Sequence, residues 1–504
     1  MRRRYPGRQP RRSPSIPITR VEPSTDICLE LQDHSILERS AVGFFRVHSR
    51  DPHPIATRLA EQFEAQNRML LDVMGVRVER FFNGNDVVLR IESGSVVGAV
   101  PLVSPTRGTP DYGLVVQPRF AWKGIGSMLV DMGWRIVPSP LKLPLLKRSE
   151  RRVPPWVLST MVLVRLRALL EALTRRFELV EDEKSAPRGT VHWSDYATRH
   201  MSRGNFLSVP CTFPDLRDDR LLKGAVRYTL EKQLQSLESQ REHGAFIHRI
   251  IEICQELLQR VRDVQAYLPS SSILTLWLQR PLRQEHLVNG LQAIQWTIED
   301  RGLAGVSDLE GIPWKMEMDQ FFEAWVETIF QAVARHHGAE FLVGRKRQTV
   351  HAINWDPVYV GSQKSLVPDI WLQWESITVI VDAKYKRHWE ELEYQPWRSA
   401  DELLREQHRS DLLQVLAYAT LASTKYIVGC LVYPCSLQTW NSLRERRRFI
   451  HKAVINVGAR ALHLWLAAIP MAVSSDQIAP LFSRELYELR RDEYGAQEAS
   501  YGRH

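Results

Sequence analysis

A chain of 504 residues, 44% hydrophobic and 25% charged, is longer than one average domain and carries enough apolar sequence for two or three cores. No apolar run approaches the ~18 residues that a membrane helix needs. The basic N-terminus also lacks the apolar stretch of a secretory signal, so a membrane or exported protein is not expected and a cytoplasmic one is. Two-thirds of the net charge of +9 sits on Arg2, Arg3, Arg4, Arg8, Arg11 and Arg12, so the charge of the remaining chain identifies no partner.

Residues 1–25 read as a disordered basic tail broken up by Pro, Gly and Ser. From 26 to 137 the pattern is that of a β-rich domain. "DVVLRI" (Asp86 to Ile91), "SVVGAVPLV" (Ser95 to Val103) and "YGLVVQPRF" (Tyr112 to Phe120) are short β-branched runs between turn formers, with one helix near Pro54 to Met74. A proline-rich, basic segment over 138–155 reads as a linker. Residues 156–305 read as helical. "WVLSTMVLVRLRALLEALTRRF" has helical length, and Leu222, Val226, Leu230, Leu234 and Leu237 recur at helical spacing. The five cysteines are scattered and form no CxxC pair, which argues against a zinc ribbon or a disulfide framework and for a reducing compartment.

The segment 306–473 has an α/β order. "MDQFFEAWVETIFQAVARHHG" is an amphipathic helix with Phe322, Val326, Ile329 and Val333 on one stripe and Gly338 as its stop. Strand candidates follow in "AEFLVG", "VPDIWLQW", "ITVIVDAKY" and, after another helix, "KYIVGCLVYP"; "HKAVINV" and "ALHLWLAAIP" close the unit. Residues 474–504 read as a helix and a polar tail. The expected fold class is α+β multidomain: a β-rich N-terminal domain, a helical middle region and a C-terminal α/β domain.

The chemistry concentrates in "VPDIWLQWESITVIVDAKYK", Val367 to Lys386. A turn at Glu375-Ser376 makes this a hairpin whose far ends lie side by side, so Asp369 and Asp382 are brought together. Asp382 and Lys384, two residues apart, project from the same strand face. Two carboxylates on one rim repel unless a hard cation such as Mg²⁺ sits between them. Lys384 beside it can orient or help deprotonate an attacking water and stabilise charge on a phosphate. Ordinary strand-end charges give the same triplet, but Glu323 on the preceding helix and Gln414 with Tyr418 on the following one add to the constellation. The cations of "RERRRFIHK" (Arg444 to Lys452) form a basic cluster that reads either as a solvated face or as a contact to nucleic-acid backbone, as do Lys386 and Arg387.

Pro368-Asp369 followed by Asp382-Ala383-Lys384 resembles the PD-(D/E)XK nuclease superfamily, and Gln414-x-x-x-Tyr418 resembles its Q-x-x-x-Y extension. The longer string "FFEAWVETIF", "VPDI", "VIVDAKYK" and "DLLQVLAYA" is similar to McrC, the nuclease subunit of the McrBC type of modification-dependent restriction system. The likeness is strongest from Asp319 to Pro434 and weaker over "PRGTVHW" and "DDRLLKGAVRYTL" upstream. It implies a restriction-endonuclease-like C-terminal domain in which Asp369, Asp382 and the Ala383 carbonyl hold Mg²⁺, for which Mn²⁺ can substitute. It further implies Lys384 as the catalytic lysine, Glu323 as an added acid with Glu327 as its alternative, and Gln414 as a support of the metal shell or the DNA backbone.

No GxxxxGK[ST] loop occurs, so the chain is not expected to bind or hydrolyse nucleotides itself. The resemblance then implies a separate McrB-like AAA+ GTPase hexamer docking on residues 26–300, and double-stranded DNA as substrate in prokaryotic antiviral defence. A stand-alone nuclease of DNA repair or another defence system, and a non-catalytic adaptor of an AAA+ motor, are the alternatives.

Overall fold

The computed structural model describes residues 28–84, 86–143, 153–173, 176–217, 219–279, 285–303, 311–374, 376–386, 402–457 and 460–501. The basic tail, the Glu375 position of the hairpin turn and Arg387 lie outside them. The fold is mixed α/β with several sheets, and the chain divides into two compact units, Met1–Pro154 with Leu303–His504, and Pro155–Gly302. No helix among the described residues is long and apolar enough to cross a membrane.

The first unit opens with β1 (Cys28–Gln32), β2 (Ile36–Ser40), α1 (His53–Val73), β3 (Val76–Asn83), β4 (Asp86–Ser93), β5 (Val96–Leu102), β6 (Tyr112–Gln117), α2 (Trp122–Asp131) and the short β7 (Ser139–Pro140). The alternating burial of β4 reflects its "DVVLRIES" pattern, with Val87, Leu89 and Ile91 inward. Strands β2, β4 and β3 form one antiparallel sheet.

The second unit carries α3 (Pro155–Ala172), β8 (Arg176–Lys184), β9 (Thr190–Val191), β10 (Val209–Arg217), α4 (Arg220–Glu238), α5 (Phe246–Arg260), α6 (Ser271–Gln279) and α7 (Glu285–Ile298). Leu222, Val226, Leu230 and Leu237 of α4 are buried as their spacing requires, while Leu234 is only half-buried. The region is not wholly helical, however. The first helix stops at Ala172, and β8 then pairs with β10 along nine residues, with β9 on the other side of β10. That ladder pairs the facing backbone groups of the two long strands, and such long-range pairing overrides local helix propensity.

The chain re-enters the first unit as β11 (Trp314–Glu317), α8 (Met318–His337), β12 (Glu340–Val343), β13 (Ile370–Trp374), β14 (Ile377–Ala383), α9 (Glu402–Ala419), β15 (Tyr426–Cys435), α10 (Leu437–Glu445), β16 (Ile450–Val457), β17 (Arg460–Pro470) and α11 (Ser475–Tyr501). Rather than starting a separate body, β11 inserts between β5 and β7 of the N-terminal sheet, whose order is β1-β6-β5-β11-β7. Gly98 makes the approach possible: a Cβ there would lie 2.2 Å from the Trp314 carbonyl oxygen. The start of the expected linker is thereby used as strand, since Ser139 and Pro140 pair with Lys315 and Trp314.

The C-terminal sheet has the order β12-β13-β14-β15-β17-β16, with β14, β15 and β17 parallel. Val379, Ile380 and Val381 of β14 are buried, as expected of a central strand in a covered sheet. Helix α9 lies against β14 and β15. At Gly429 an added Cβ would come within 2.6 Å of Val415 Cγ1, so the absence of a side chain lets that helix settle. Trp371, Ile380, Tyr418, Ala419 and Leu462 form part of the core beneath it. On α8, Phe322, Val326, Ile329 and Val333 are fully buried, and Gly338 ends the helix in the left-handed region (φ 64°). Phe330 meets Phe482 of α11 at 5.1 Å between ring centroids.

Candidate metal centre

The antiparallel register of β13 and β14 pairs Ile370 with Val381, so Asp369 stands opposite Asp382 one step further along the ladder. The backbone before β13 is pinned from the neighbouring strand end. Gly344 N donates to the Asp369 carbonyl oxygen at 2.8 Å, and Thr349 Oγ1 donates to that of Pro368 at 2.6 Å. Asp369 Oδ2 accepts from the Ala383 N–H at 2.8 Å, tying its side chain to the end of β14. Asp382 is fully buried. Its Oδ2 faces Lys384 Nζ at 2.8 Å, while Oδ1 has no hydrogen-bond partner among the described residues.

Burial, and then the charge of Glu323, push the Asp369 carboxyl above its usual range; burial and then Asp369 do the same to Asp382. Burial works against the Lys384 ammonium, but the ion pair with Asp382 outweighs it and holds the amine above its ordinary value. So placed, Lys384 is a cation able to donate to an anion, which favours orienting and charge-stabilising work over proton abstraction. Burial also raises Glu323, with contributions from Glu327 and Asp382, so α8 presents this acid within electrostatic reach of the rim. The alternative acid is otherwise engaged. Glu327 is fully buried between Arg345 (2.7 and 3.1 Å) and Arg135 (3.0 Å).

Gln414 Nε2 donates to Tyr418 Oη at 2.8 Å, and the buried Tyr418 hydroxyl is held above its usual value by burial, with Asp382 and Asp369 adding to it. Tyr418 therefore lies within electrostatic range of the two aspartates, with Gln414 hydrogen-bonded to it. Lys386 is not a free rim charge: its Nζ contacts both oxygens of the buried Asp411 at 2.7 and 2.9 Å. Asp411, which the sequence reading passed over, also accepts from Tyr433 Oη at 3.0 Å and adds its charge to the surroundings of Asp382 and Lys384. Its position three residues before Gln414, on the same helical face, was the available signal.

Tyr385 was likewise not anticipated. Wholly buried beside Lys384, it donates to Asp33 Oδ2 at 2.7 Å and lies under the Arg119 guanidinium at 4.4 Å. Asp33 follows β1 and Arg119 follows β6, so the N-terminal sheet braces the end of the strand that carries Asp382 and Lys384. The two segments are far apart in sequence, and no local motif links them.

Among the described residues, no group of three or more His, Cys, Asp or Glu side chains converges tightly enough to hold a metal ion. What the rim offers is a carboxylate pair, one oxygen of it buried and without a hydrogen-bond partner among the described residues. That donor set fits a hard cation that keeps several waters, and not a thiolate- or imidazole-seeking one.

Residues 303–434 match the family model of the McrBC 5-methylcytosine restriction system component. This segment is similar to a component of that system. The match includes Glu323, Asp369, Asp382, Lys384 and Gln414 and ends before the basic turn at Arg446. No curated protein matches the chain. A solved half-complex from a tetradecameric assembly of Thermococcus gammatolerans McrB AAA+ hexamers with bound McrC is similar at 14% identity and a TM-score of 0.39, covering 92% of this chain and 100% of that one. The McrBC complex of the same organism is similar at 14% identity and a TM-score of 0.25, covering 61% and 88%. At these scores neither structure adds to the assignment.

A stability consequence follows from the raised carboxyls. A carboxylate whose folded-state pKa lies above its unfolded one binds protons more readily when folded, so stability falls as pH rises through the folded-state value. With chelator present, the melting temperature is expected to fall as pH rises from the ordinary carboxyl range of about 4 through the folded values of about 6 and about 7, and Asp382→Asn is expected to flatten that slope. Thermal melts across that range check it, and an Asp382→Asn protein whose melting temperature falls as steeply with pH as that of the wild type overturns it.

Proposed function

We propose that this chain is the DNA-cleaving subunit of a McrBC-like restriction system, hydrolysing phosphodiester bonds with Mg²⁺ when an AAA+ GTPase partner engages it. The observation that carries the reading is the rim itself: two raised, mutually opposed carboxylates with an unpartnered buried oxygen, and a lysine 2.8 Å from one of them. Asp369, Asp382 and the Ala383 carbonyl would hold the metal. Bound there, Mg²⁺ supplies positive charge against the charge developing on the scissile phosphate. Lys384 donates to a non-bridging phosphate oxygen or orients the attacking water, held in place by its ion pair and by the braced Tyr385 next to it. Glu323 adds an acid from α8, and Gln414 with Tyr418 limits the space on the α9 side. The match of residues 303–434 to a McrBC component supports the partner and the defence setting. Residues 26–300, outside that match, are the proposed docking region.

The test is cleavage of methylated and unmethylated plasmid by the full chain, with and without an AAA+ GTPase encoded beside it, GTP and Mg²⁺. Cleavage that needs Mg²⁺ and is lost in Asp369→Asn supports the reading, and dependence on the GTPase separates it from a stand-alone nuclease. A Mn²⁺-binding titration of the same variant, read by electron spin resonance, reports the metal site without relying on turnover. Wild-type protein that neither binds Mn²⁺ nor cuts DNA under any of these conditions overturns it.

A further inference from the structure

The registers of the C-terminal sheet put two basic turns on the same rim as the candidate metal centre. Ala383 of β14 pairs with Val432, Val432 with Ala467, and Ala467 with Ile450. The turn before β16, with Arg446, Arg447 and Arg448, therefore emerges on the side where Asp382 and Lys384 end their strand. In the other direction Val381 pairs with Ile370 and Ile370 with Val343, so the turn after β12, with Lys346 and Arg347, emerges there too. With strands about 4.8 Å apart, the two turns lie about 10 and about 14 Å to either side of β14, an overall span of about 24 Å along the sheet.

All five cations are exposed, and none forms an ion pair or side-chain hydrogen bond among the described residues. Their neighbours differ. Arg345 is committed to Glu327, and Lys452 to Glu485 at 2.6 Å, so these flanks use acids where they are needed for packing and leave the outer cations unmatched. Each turn also holds an arginine in the left-handed backbone region, Arg347 at φ 58° and Arg447 at φ 52°, where glycine or asparagine is favoured.

We infer that the rim from Lys346 and Arg347 across the candidate metal centre to Arg446, Arg447 and Arg448 is a track for double-stranded DNA, gripping phosphates on both sides of the bond presented to Asp369 and Asp382. The inference rests on the nuclease reading for its orientation, but its binding is measured separately. A span of about 24 Å corresponds to about seven base pairs at 3.4 Å each. Duplex DNA is stiff over that length, so two separated turns can hold it at once without ordering a flexible chain. The phosphate contacts carry affinity and register, not sequence preference.

The experiment is fluorescence anisotropy of the full chain with a labelled duplex of about 20 base pairs, in chelator so that nothing is cut, over a series of salt concentrations. Lys346→Glu with Arg347→Glu, and Arg446→Glu with Arg447→Glu and Arg448→Glu, are each expected to weaken binding about tenfold or more and to lower the salt slope by roughly one per lost phosphate contact. Arg447→Gly relieves the left-handed position, so it is expected to weaken binding with a melting temperature unchanged or raised, which removes misfolding as the explanation. Duplex binding unaffected by either flank, no duplex binding by the wild type, or equal affinity for single-stranded DNA or duplex RNA overturns the track. Flank-dependent binding without Mg²⁺-dependent cleavage sustains the track and sinks the nuclease reading instead.

Discussion

On the proposed nuclease reading, Lys384→Met is expected to lower the rate of Mg²⁺-dependent cleavage by about 10²- to 10³-fold, the usual cost of removing one donor that meets charge developing in a transition state. The expectation has a second part, because Lys384 is also the counter-ion of a buried group. Asp382 is fully buried and Lys384 is its ion-pair partner at 2.8 Å, so the methionine variant leaves that carboxylate uncompensated. Removing one member of a buried pair typically costs about 3–5 kcal/mol. That cost is to be discounted here because Asp382 can take up a proton, its carboxyl being raised already. Without metal, Lys384→Met should thus be less stable than wild type at neutral pH, and the loss should shrink when Asp382→Asn is added. Single-turnover cleavage at saturating DNA and melts of the single and double variants separate the two effects. A variant that cuts within about threefold of the wild-type rate removes Lys384 from the chemistry.

The largest stability effect is expected at Glu327. Its carboxylate is wholly buried on α8 and receives Arg345 from the turn after β12 and Arg135 from the segment after α2. Replacing both arginines by alanine leaves a buried carboxylate with neither counter-charge, at a cost of about 3–5 kcal/mol. Glu327→Gln should cost less, because the amide still accepts from one arginine and the guanidinium groups, each about one-third exposed, can turn to water. Urea denaturation of the double alanine variant checks this, and a loss below about 1 kcal/mol shows that the clamp contributes no more than a surface pair does. Because Arg135 comes from the N-terminal segment, the clamp also ties that segment to the helix from which Glu323 faces the rim. The glutamates one turn apart thus do different work: Glu327 holds the unit together, and Glu323 is the acid available to the candidate site.

Several features were legible in the chain because they depend on local physics. The spacing of Phe322, Val326, Ile329 and Val333 with the Gly338 stop dictated α8, and each of those four side chains is buried. The β-branched run from Ile377 to Val381 dictated a central strand, and the hairpin geometry alone placed Asp369 opposite Asp382. In both cases the governing period is that of a single element or one turn, so neighbours in sequence suffice.

What failed from sequence needed partners far along the chain. Residues 176–184 form a strand because β10 supplies a nine-residue ladder from Val209 to Arg217, beyond an intervening segment, which no local pattern encodes. The Pro-rich segment reads as a boundary, yet Ser139 and Pro140 pair with a strand that arrives after the entire middle unit. Tyr385 carries no local signal, since Asp33 and Arg119, far off in the chain, are what close on it, and Lys386 looked like a rim cation until Asp411 took both of its contacts. The same holds for the basic turns: "RERRRFIHK" is a charge run in the sequence, and only the registers of β14, β15, β17 and β16 bring it to the rim of the aspartates. Residue types and their spacing were enough for the elements and for the acid pair within one hairpin. Burial, counter-charge and strand order, which arise only when distant segments pack together, decided which of the charged groups are left exposed on that rim.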